Sequence, residues 1–305
     1  MIEIKRLSEC SLLDVLDSWN NGFKGYFSPM TMTVDQFLKR MVQEGLSAED
    51  SIIAYVDGVP AGIILNGFRT VDEEVVSYNG GTGVAPEFRR TGVGRKMMEK
   101  VVDIYRKKDV SIATLEAIVE NEAAINLYKS LGYLTDQNVA YLQQEGIMSS
   151  DPFQYSESNG FTSETTLPEM ISHLPFYKTN SPWQTQWQST MNGTAMIARK
   201  DDKEIGYAIY RNVYHPDGSL ATIVLHQIGT VPEFDDQNGL VGYLLSAVLK
   251  PEVNCKRLVI NSPLNEQPLM NQLGEAGFST MVEQVWMKKA IKEPSKTNAK
   301  SIEKV

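Results

Sequence analysis

Cysteine is nearly absent: Cys10 and Cys255 are the only two in 305 residues and lie far apart, so there is no disulfide framework and no thiolate cluster for a metal. Histidine is almost as scarce, and His173, His215 and His226 all fall in the second half. No metal is expected. No apolar run approaches the roughly 18 residues of a membrane span. The opening MIEIKRLSEC has no apolar signal region, so a cytoplasmic protein without a membrane partner is expected. Basic residues are outnumbered 29 to 38, and the net charge of −9 argues against nucleic acid as a partner. The tail from Lys288 holds six lysines against two glutamates, so the rest of the chain is more acidic still. What is present is ordinary for a well-packed protein, 42% apolar and 22% charged, and the length suits two domains of about 150 residues each.

The chain repeats itself. Val84-Ala85-Pro86-Glu87-Phe88 returns as Thr230-Val231-Pro232-Glu233-Phe234, displaced by 146 residues. The hairpin cue at Asp57-Gly58, with Gly62 behind it, is echoed at Asp202 and Gly206, and Leu131-Gly132-Tyr133 is echoed by Ala276-Gly277-Phe278. Three landmarks in one order and nearly one register indicate two copies of one domain. The Ser-, Gly- and Pro-rich stretch from Met148 to Thr166 marks the junction, giving domains over 1–147 and 148–290 and a disordered basic tail over 291–305.

Within the first copy, residues 2–7 read as a strand and the next stretch as a helix through Leu12, Val15, Leu16 and Trp19. A second helix over 33–45 presents Phe37, Leu38 and Met41 on one face. Residues 51–56 and 61–68 form a hairpin around Asp57-Gly58. A strand over 75–84 carries Gly80, Gly81 and Gly83, which point to a bulge or a close backbone approach. A helix over 91–107 shows the stripe Val93, Met97, Val101, Tyr105. A strand over 112–119, a short helix over 122–130 and a strand over 139–143 complete an α/β sandwich around a mixed sheet.

The chemistry concentrates in Arg89-Arg90-Thr91-Gly92-Val93-Gly94, where a strand gives way to a helix. Glycines there admit a ligand to the backbone, and a helix start offers free amides and partial positive charge for a pyrophosphate. Arg95 and Lys96 add charge. A dinucleotide fingerprint would need a third glycine where Met97 stands, and a P-loop's lysine is missing. About thirty residues on comes Asn121-Glu122-Ala123-Ala124-Ile125-Asn126-Leu127-Tyr128, then Leu131-Gly132-Tyr133. Together, R-x-x-G-x-G and N-x-x-A-x-x-L-Y-x-x-x-G-Y resemble the GNAT acyl-CoA N-acyltransferase superfamily over residues 1–145. The resemblance implies two tandem GNAT-like domains, each a mixed β-sheet flanked by helices, with a degenerate second copy.

The same resemblance implies acetyl-CoA as co-substrate. It places the CoA site at Gly83, Val84, Arg89, Arg90, Thr91, Gly92, Val93, Gly94, Arg95, Asn121 and Tyr128. The pantetheine arm would fill a gap between the strands over 75–84 and 112–119, and a backbone N–H near Gly83 or Val84 would polarise the thioester carbonyl. Tyr128 matches the proton donor to the departing thiolate. Its bland reading is helix packing, since Ala124, Leu127, Tyr128 and Leu131 share a stripe. No carboxylate or imidazole occupies Ser77-Tyr78-Asn79, so the base falls to Glu74, to Glu116, or to ordered water held by Tyr78 or Asn79. In the fold the resemblance implies, the segment from Trp19 to Met30 would overhang the acceptor side, making Tyr26 and Phe27, together with Tyr78 of the strand over 75–84, the acceptor-pocket candidates.

The second copy has Asp235-Asp236 opposite Arg89-Arg90, and Gln272 or Leu273 opposite Tyr128, so it is expected not to bind CoA. Trp183 and Trp187, four apart, read as one helical face. His226 falls opposite Gly80. The leading expectation is an N-acetyltransferase acting on a small amine or peptide amine, as monomer or homodimer. The competing reading is a non-catalytic acyl-CoA sensor, and a third is transfer of a longer acyl group.

Overall fold

The computed structural model describes residues 1–148, 152–153, 155–156 and 159–292. Most of the expected basic tail and part of the expected junction therefore lie outside the described residues. The chain forms two compact units. The first is Met1–Asp136 with the chain from Trp286, and the second is Gln137–Val285.

The first unit runs β1 (Ile2–Arg6), α1 (Leu12–Gly22), α2 (Val34–Gln43), β2 (Leu46–Val56), β3 (Val59–Val71), β4 (Glu74–Val84), α3 (Val93–Lys107), β5 (Ile112–Ile118) and α4 (Glu122–Ser130). Strands β1 to β4 pair antiparallel in sequence order, and β4 pairs parallel with β5. The hairpin between β2 and β3 turns on Asp57 (φ 48°) and Gly58 (φ 83°), two positive φ values that match the right-handed twist of the strands. Ile63, Ile64 and Leu65 of β3 are wholly buried, as a central strand covered on both faces requires. A side chain at Gly83 would strike Phe23, the residue that caps α1, whereas one at Gly94 of α3 would lie 3.6 Å from Val84. Neighbouring strand residues face opposite ways, so α1 and α3 cover opposite faces of the sheet.

All four residues of the expected α3 stripe are buried. The α2 stripe is corrected: Phe37 is buried, but Leu38 is 46% exposed. Ser11 and Thr33 cap α1 and α2, Thr33 within a full capping box with Gln36.

The second unit begins with the larger part of β6 (Leu134–Gly146). It continues through β7 (Thr162–Thr166), β8 (Thr194–Lys200), β9 (Lys203–Tyr214), β10 (Leu220–Thr230), α5 (Gln237–Leu249), β11 (Cys255–Pro263) and α6 (Gln267–Glu275). Its order β7-β8-β9-β10-β11 repeats the order of β1 to β5, with the last pair again parallel. The β8–β9 turn uses Asp201 (φ 49°) and Asp202 (φ 62°) where the first copy uses Asp57-Gly58. In place of α1 and α2 there are short 3-10 turns at Pro168–His173, Trp183–Thr185 and Trp187–Ser189. The expected shared helical face of Trp183 and Trp187 is thus corrected, because extended Gln186 separates two turns.

The final strand, β12 (Ser279–Ala290), is divided between the units at Val285/Trp286, and β6 at Asp136/Gln137. In the first unit the end of β12 lies beside β5, and Ile291 N–H donates to Ser111 O (2.9 Å). In the second, β6 pairs antiparallel with β11. Each sheet is completed by a strand from the other repeat, whereas the expected division after 147 leaves β6 with the first.

Candidate active site

Strand β4 pairs with β5 over four residues only, Val76–Asn79 against Ile112–Leu115. Beyond them β4 runs on to Val84 and β5 to Ile118 with no mutual pairing, so a gap opens between two parallel strands. A bulge sets it up. The β3–β4 register jumps between Asn79 and Gly81, Asn79 Oδ1 accepts from Gly81 N (3.1 Å), and Arg40 Nη2 donates to Gly80 O (2.6 Å). Gly81 has φ 154°, and a side chain there would meet the Trp19 ring at 2.9 Å. The close approach read from these glycines is therefore made by α1.

Ala85 N–H donates to Ala61 O (2.9 Å), so by strand alternation the N–H of Val84 points away from β3 and into the gap. After a short turn at Pro86–Phe88, Arg90 (φ 63°) and Gly92 (φ 89°) swing the chain into α3. Gly92 is the N-cap and has no side chain to cap with, the first turn has no acidic residue, and the space a Cβ would occupy is open. The amides of Val93, Gly94 and Arg95 are left without intrahelical partners, a cradle suited to a pyrophosphate. The same loop is braced from inside, with Thr91 Oγ1 donating to Phe88 O (2.7 Å). Arg90 is exposed, Arg95 donates to Ser130 Oγ (2.9 Å), and Arg89 donates to backbone carbonyls.

On one flank of the gap, Asn121 caps α4 through Ala124 N (3.2 Å), and its side chain interacts with the Tyr26 phenol. Tyr128, on the same helix, is 6% exposed, and its phenol interacts with the Thr82 side chain of β4. Burial pushes its phenol up to about 12, with the Thr82 interaction opposing and Tyr26 adding to the rise. Burial also raises the Tyr26 phenol, against the Asn121 interaction.

On the other flank, Glu116 is the first β5 residue past the last pair. Its Oε1 is buried without a hydrogen-bond partner. Burial pushes the carboxyl up to about 8; the charge of Glu44 adds, and a hydrogen bond with the buried Tyr78 hydroxyl opposes.

The structure thus brings Tyr26, Asn121 and Tyr128 together, and joins Glu116 to Tyr78. Glu74 does not join them: it is exposed at the other end of β4, where its carboxylate accepts from Ser111 Oγ. Phe27 is 57% exposed, with its ring edge-on to Tyr26 at 5.4 Å. The loop they share curves around a concavity of about 500 Å³ lined by its own residues. Sequence reasoning missed Thr82, Glu44 and Arg40. A threonine among glycines and an i, i+4 ion pair on a surface helix carry no signal of a site.

In the second unit the corresponding features are filled. The β10–β11 pairing also stops after four residues, at Leu225 and Val259. Past that point His226 Nδ1 bonds Gln184 O (2.9 Å) and Asn261 Nδ2 donates to Gln184 Oε1 (2.8 Å). Asp236 caps α5 through Gly239 N (2.8 Å), and a Cβ on Gly239 would fall 2.1 Å from that carboxylate. Gly229, opposite Gly83, lies under the Tyr207 ring.

A mixed sheet with a splayed parallel pair beside an uncapped helix start is the architecture of the acyl-CoA N-acyltransferases. Residues 14–133, which lie within the first unit, match the acetyltransferase (GNAT) family. The ribosomal protein bS18-alanine N-acetyltransferase of Escherichia coli is 37% identical over 65 residues, 21% of this chain and 43% of that protein. An uncharacterized N-acetyltransferase of Methanocaldococcus jannaschii is 24% identical over 136 residues, covering 43% of this chain and 59% of its own. The chain thus spans less than two thirds of either relative. A tandem GNAT protein from the clavulanic acid biosynthesis pathway shares the fold, with a TM-score of 0.61, 14% identity, and coverage of 97% of this chain and 100% of its own. No helix among the described residues is long and apolar enough to cross a membrane.

Proposed function

We propose that the first unit is an acetyl-CoA-dependent N-acetyltransferase that passes the acetyl group directly to a small amine or peptide amine. The observation that carries this reading is the four-residue limit of β4–β5 pairing, since the resulting gap has an acid on one flank and a base on the other. The residues fit the co-substrate. The open space at Gly92 and the partnerless amides of Val93, Gly94 and Arg95 suit its pyrophosphate, Arg90 adds charge, and the unpaired edges of β4 and β5 suit the amides of an extended arm. Acetyl-CoA supplies an activated acyl carbon as a thioester.

Glu116 accepts the proton of the attacking amine, a task for which a carboxyl titrating near 8 is matched. Val84 N–H donates to the carbonyl oxygen as negative charge gathers there. Tyr128, protonated throughout the neutral range, donates its proton to the leaving sulfur. A buried carboxyl beside the gap favours this reading over that of a non-catalytic sensor. The second unit, with Asp236, Asn159 and Tyr207 in the corresponding space, is assigned no CoA.

The test is a thermal-shift titration of the full chain with acetyl-CoA, free CoA and ATP, followed by thiol release with a panel of amines. Stabilisation by both CoA species and not by ATP, with amine-dependent release, is expected. Stabilisation without release from any amine would return the sensor reading, and no stabilisation would remove both.

A further inference from the structure

Arg89 opens the R-x-x-G-x-G segment, the place where a phosphate ligand is expected, yet its exposed guanidinium is turned onto backbone carbonyls. Nε donates to Val84 O at 2.9 Å and Nη2 to Lys24 O at 2.7 Å, with Gly22 O a further 3.4 Å partner. One side chain thus joins the end of β4 to the segment that follows α1. We infer that Arg89 is a positioning residue, fixing the Gly22–Tyr26 segment over the β4–β5 gap instead of binding phosphate.

Three observations support this. Gly22 lies directly on β4, where a Cβ would come within 3.0 Å of the Gly83 backbone, so the segment crosses the strand end at contact distance. Lys24 is two residues from Tyr26, whose N–H donates to Phe23 O (3.0 Å) and whose ring stands edge-on to Phe23 at 5.2 Å. Movement at Lys24 therefore moves Tyr26 away from Asn121. Finally, the far end of the loop has its own anchors: Trp19 Nε1 donates to Met30 O (2.7 Å), and Asn20 bonds both the N–H and the carbonyl of Met32. Arg89 supplies the corresponding tie at the near end. A guanidinium is suited to it, because its planar fork reaches several carbonyls at once where an ammonium serves as one compact charge.

The inference rests on the reading of the gap as an acetyl-CoA site, and the experiment separates the two. Full-length wild type, Arg89→Ala, Arg89→Lys and Arg90→Ala are compared by hydrogen–deuterium exchange and by thermal-shift titration with acetyl-CoA. In Arg89→Ala, exchange across Gly22–Tyr26 should rise about tenfold or more while α3 is unchanged. Its acetyl-CoA titration midpoint should stay within about twofold of wild type. Arg89→Lys should restore part of the protection, since one carbonyl contact survives. Arg90→Ala should do the reverse, weakening acetyl-CoA and leaving the loop protected. With an amine that the wild type acetylates, Arg89→Ala should raise the KM of the amine and not that of acetyl-CoA. Loss of acetyl-CoA stabilisation in Arg89→Ala with loop exchange unchanged would overturn the inference and make Arg89 a phosphate ligand. If Arg89→Ala does not fold, the same loss in Arg89→Lys with protection intact overturns it. If wild type itself is not stabilised by acetyl-CoA, the acetyltransferase reading falls, and the exchange comparison alone decides whether Arg89 orders the loop.

Discussion

As the proposed base, Glu116 carries two opposed demands, since a base must be ionised and its surroundings resist ionisation. With the carboxyl held near 8 by burial, kcat/KM should climb with pH and level off above about 8, and Glu116→Gln should remove that rising limb and cost about 100-fold or more in kcat. Stability should move the other way. Between the ordinary carboxylate range and about 8, the folded state holds a proton that the unfolded chain has released, so stability falls as pH rises through that window. Glu116→Gln, with no charge to bury, should melt above wild type at pH 9 and lose that advantage at pH 5. Tyr128→Phe should cut turnover by about 100-fold and leave acetyl-CoA affinity unchanged, because it deletes a proton and little packing. A thiol-release assay beside a thermal-shift titration reads both variants. The sequence named Tyr128, Asn121 and Tyr26 through their motifs or loop, but left Glu74 and Glu116 undecided. What separates those two is where β4 stops pairing with β5, a non-local property that no alternation of residues along one strand encodes.

Two helix starts within one chain make a natural experiment in anion binding. At α3, Gly92 leaves the first amides open, and at α5, Asp236 occupies Gly239 N with its own carboxylate. Gly92→Glu should therefore abolish stabilisation by acetyl-CoA, through bulk and charge in the open space and a φ of 89° that disfavours any side chain. Asp236→Ala should cost about 1 kcal/mol from the lost cap and confer no CoA response, because Tyr207 still lies over Gly229. Denaturation in urea and a CoA titration check the two halves of that statement. Elements with long periodic stripes were legible: α3 buries every residue of its stripe. The second copy's aromatic spacing misled, since i, i+4 over five residues is too short to distinguish a helix from two consecutive turns.

The repeat itself was legible because its landmarks are turns, where backbone geometry dictates residue type. The exchange of final strands was not, since a half-buried strand looks the same whichever sheet receives it. That exchange has a mechanical consequence. In the second unit, Ala140 and Leu142 of β6 belong to the core formed with α5. The wholly buried Arg257 donates to Gly146 O (2.7 Å) and Gln144 Oε1 (2.9 Å) of β6, and to Leu249 O (2.6 Å) and Lys250 O (2.6 Å) at the end of α5. In the first unit, the buried Trp286 and the Lys288–Asp136 ion pair (3.0 Å) belong to the end of β12. Severing the chain between Ile147 and Met148 leaves each half holding the strand the other needs. Arg257 would then sit buried with its β6 acceptors removed, a loss of about 3 kcal/mol or more. Residues 1–147 and 148–305 made separately should therefore be poorly folded by circular dichroism and heat denaturation. Made together, they should assemble as a one-to-one complex that recovers stabilisation by acetyl-CoA. A separate 1–147 fragment with a cooperative melt and full acetyl-CoA response would show that the exchanged strand adds nothing to the first unit, and its β5 edge would then have to be stable uncovered.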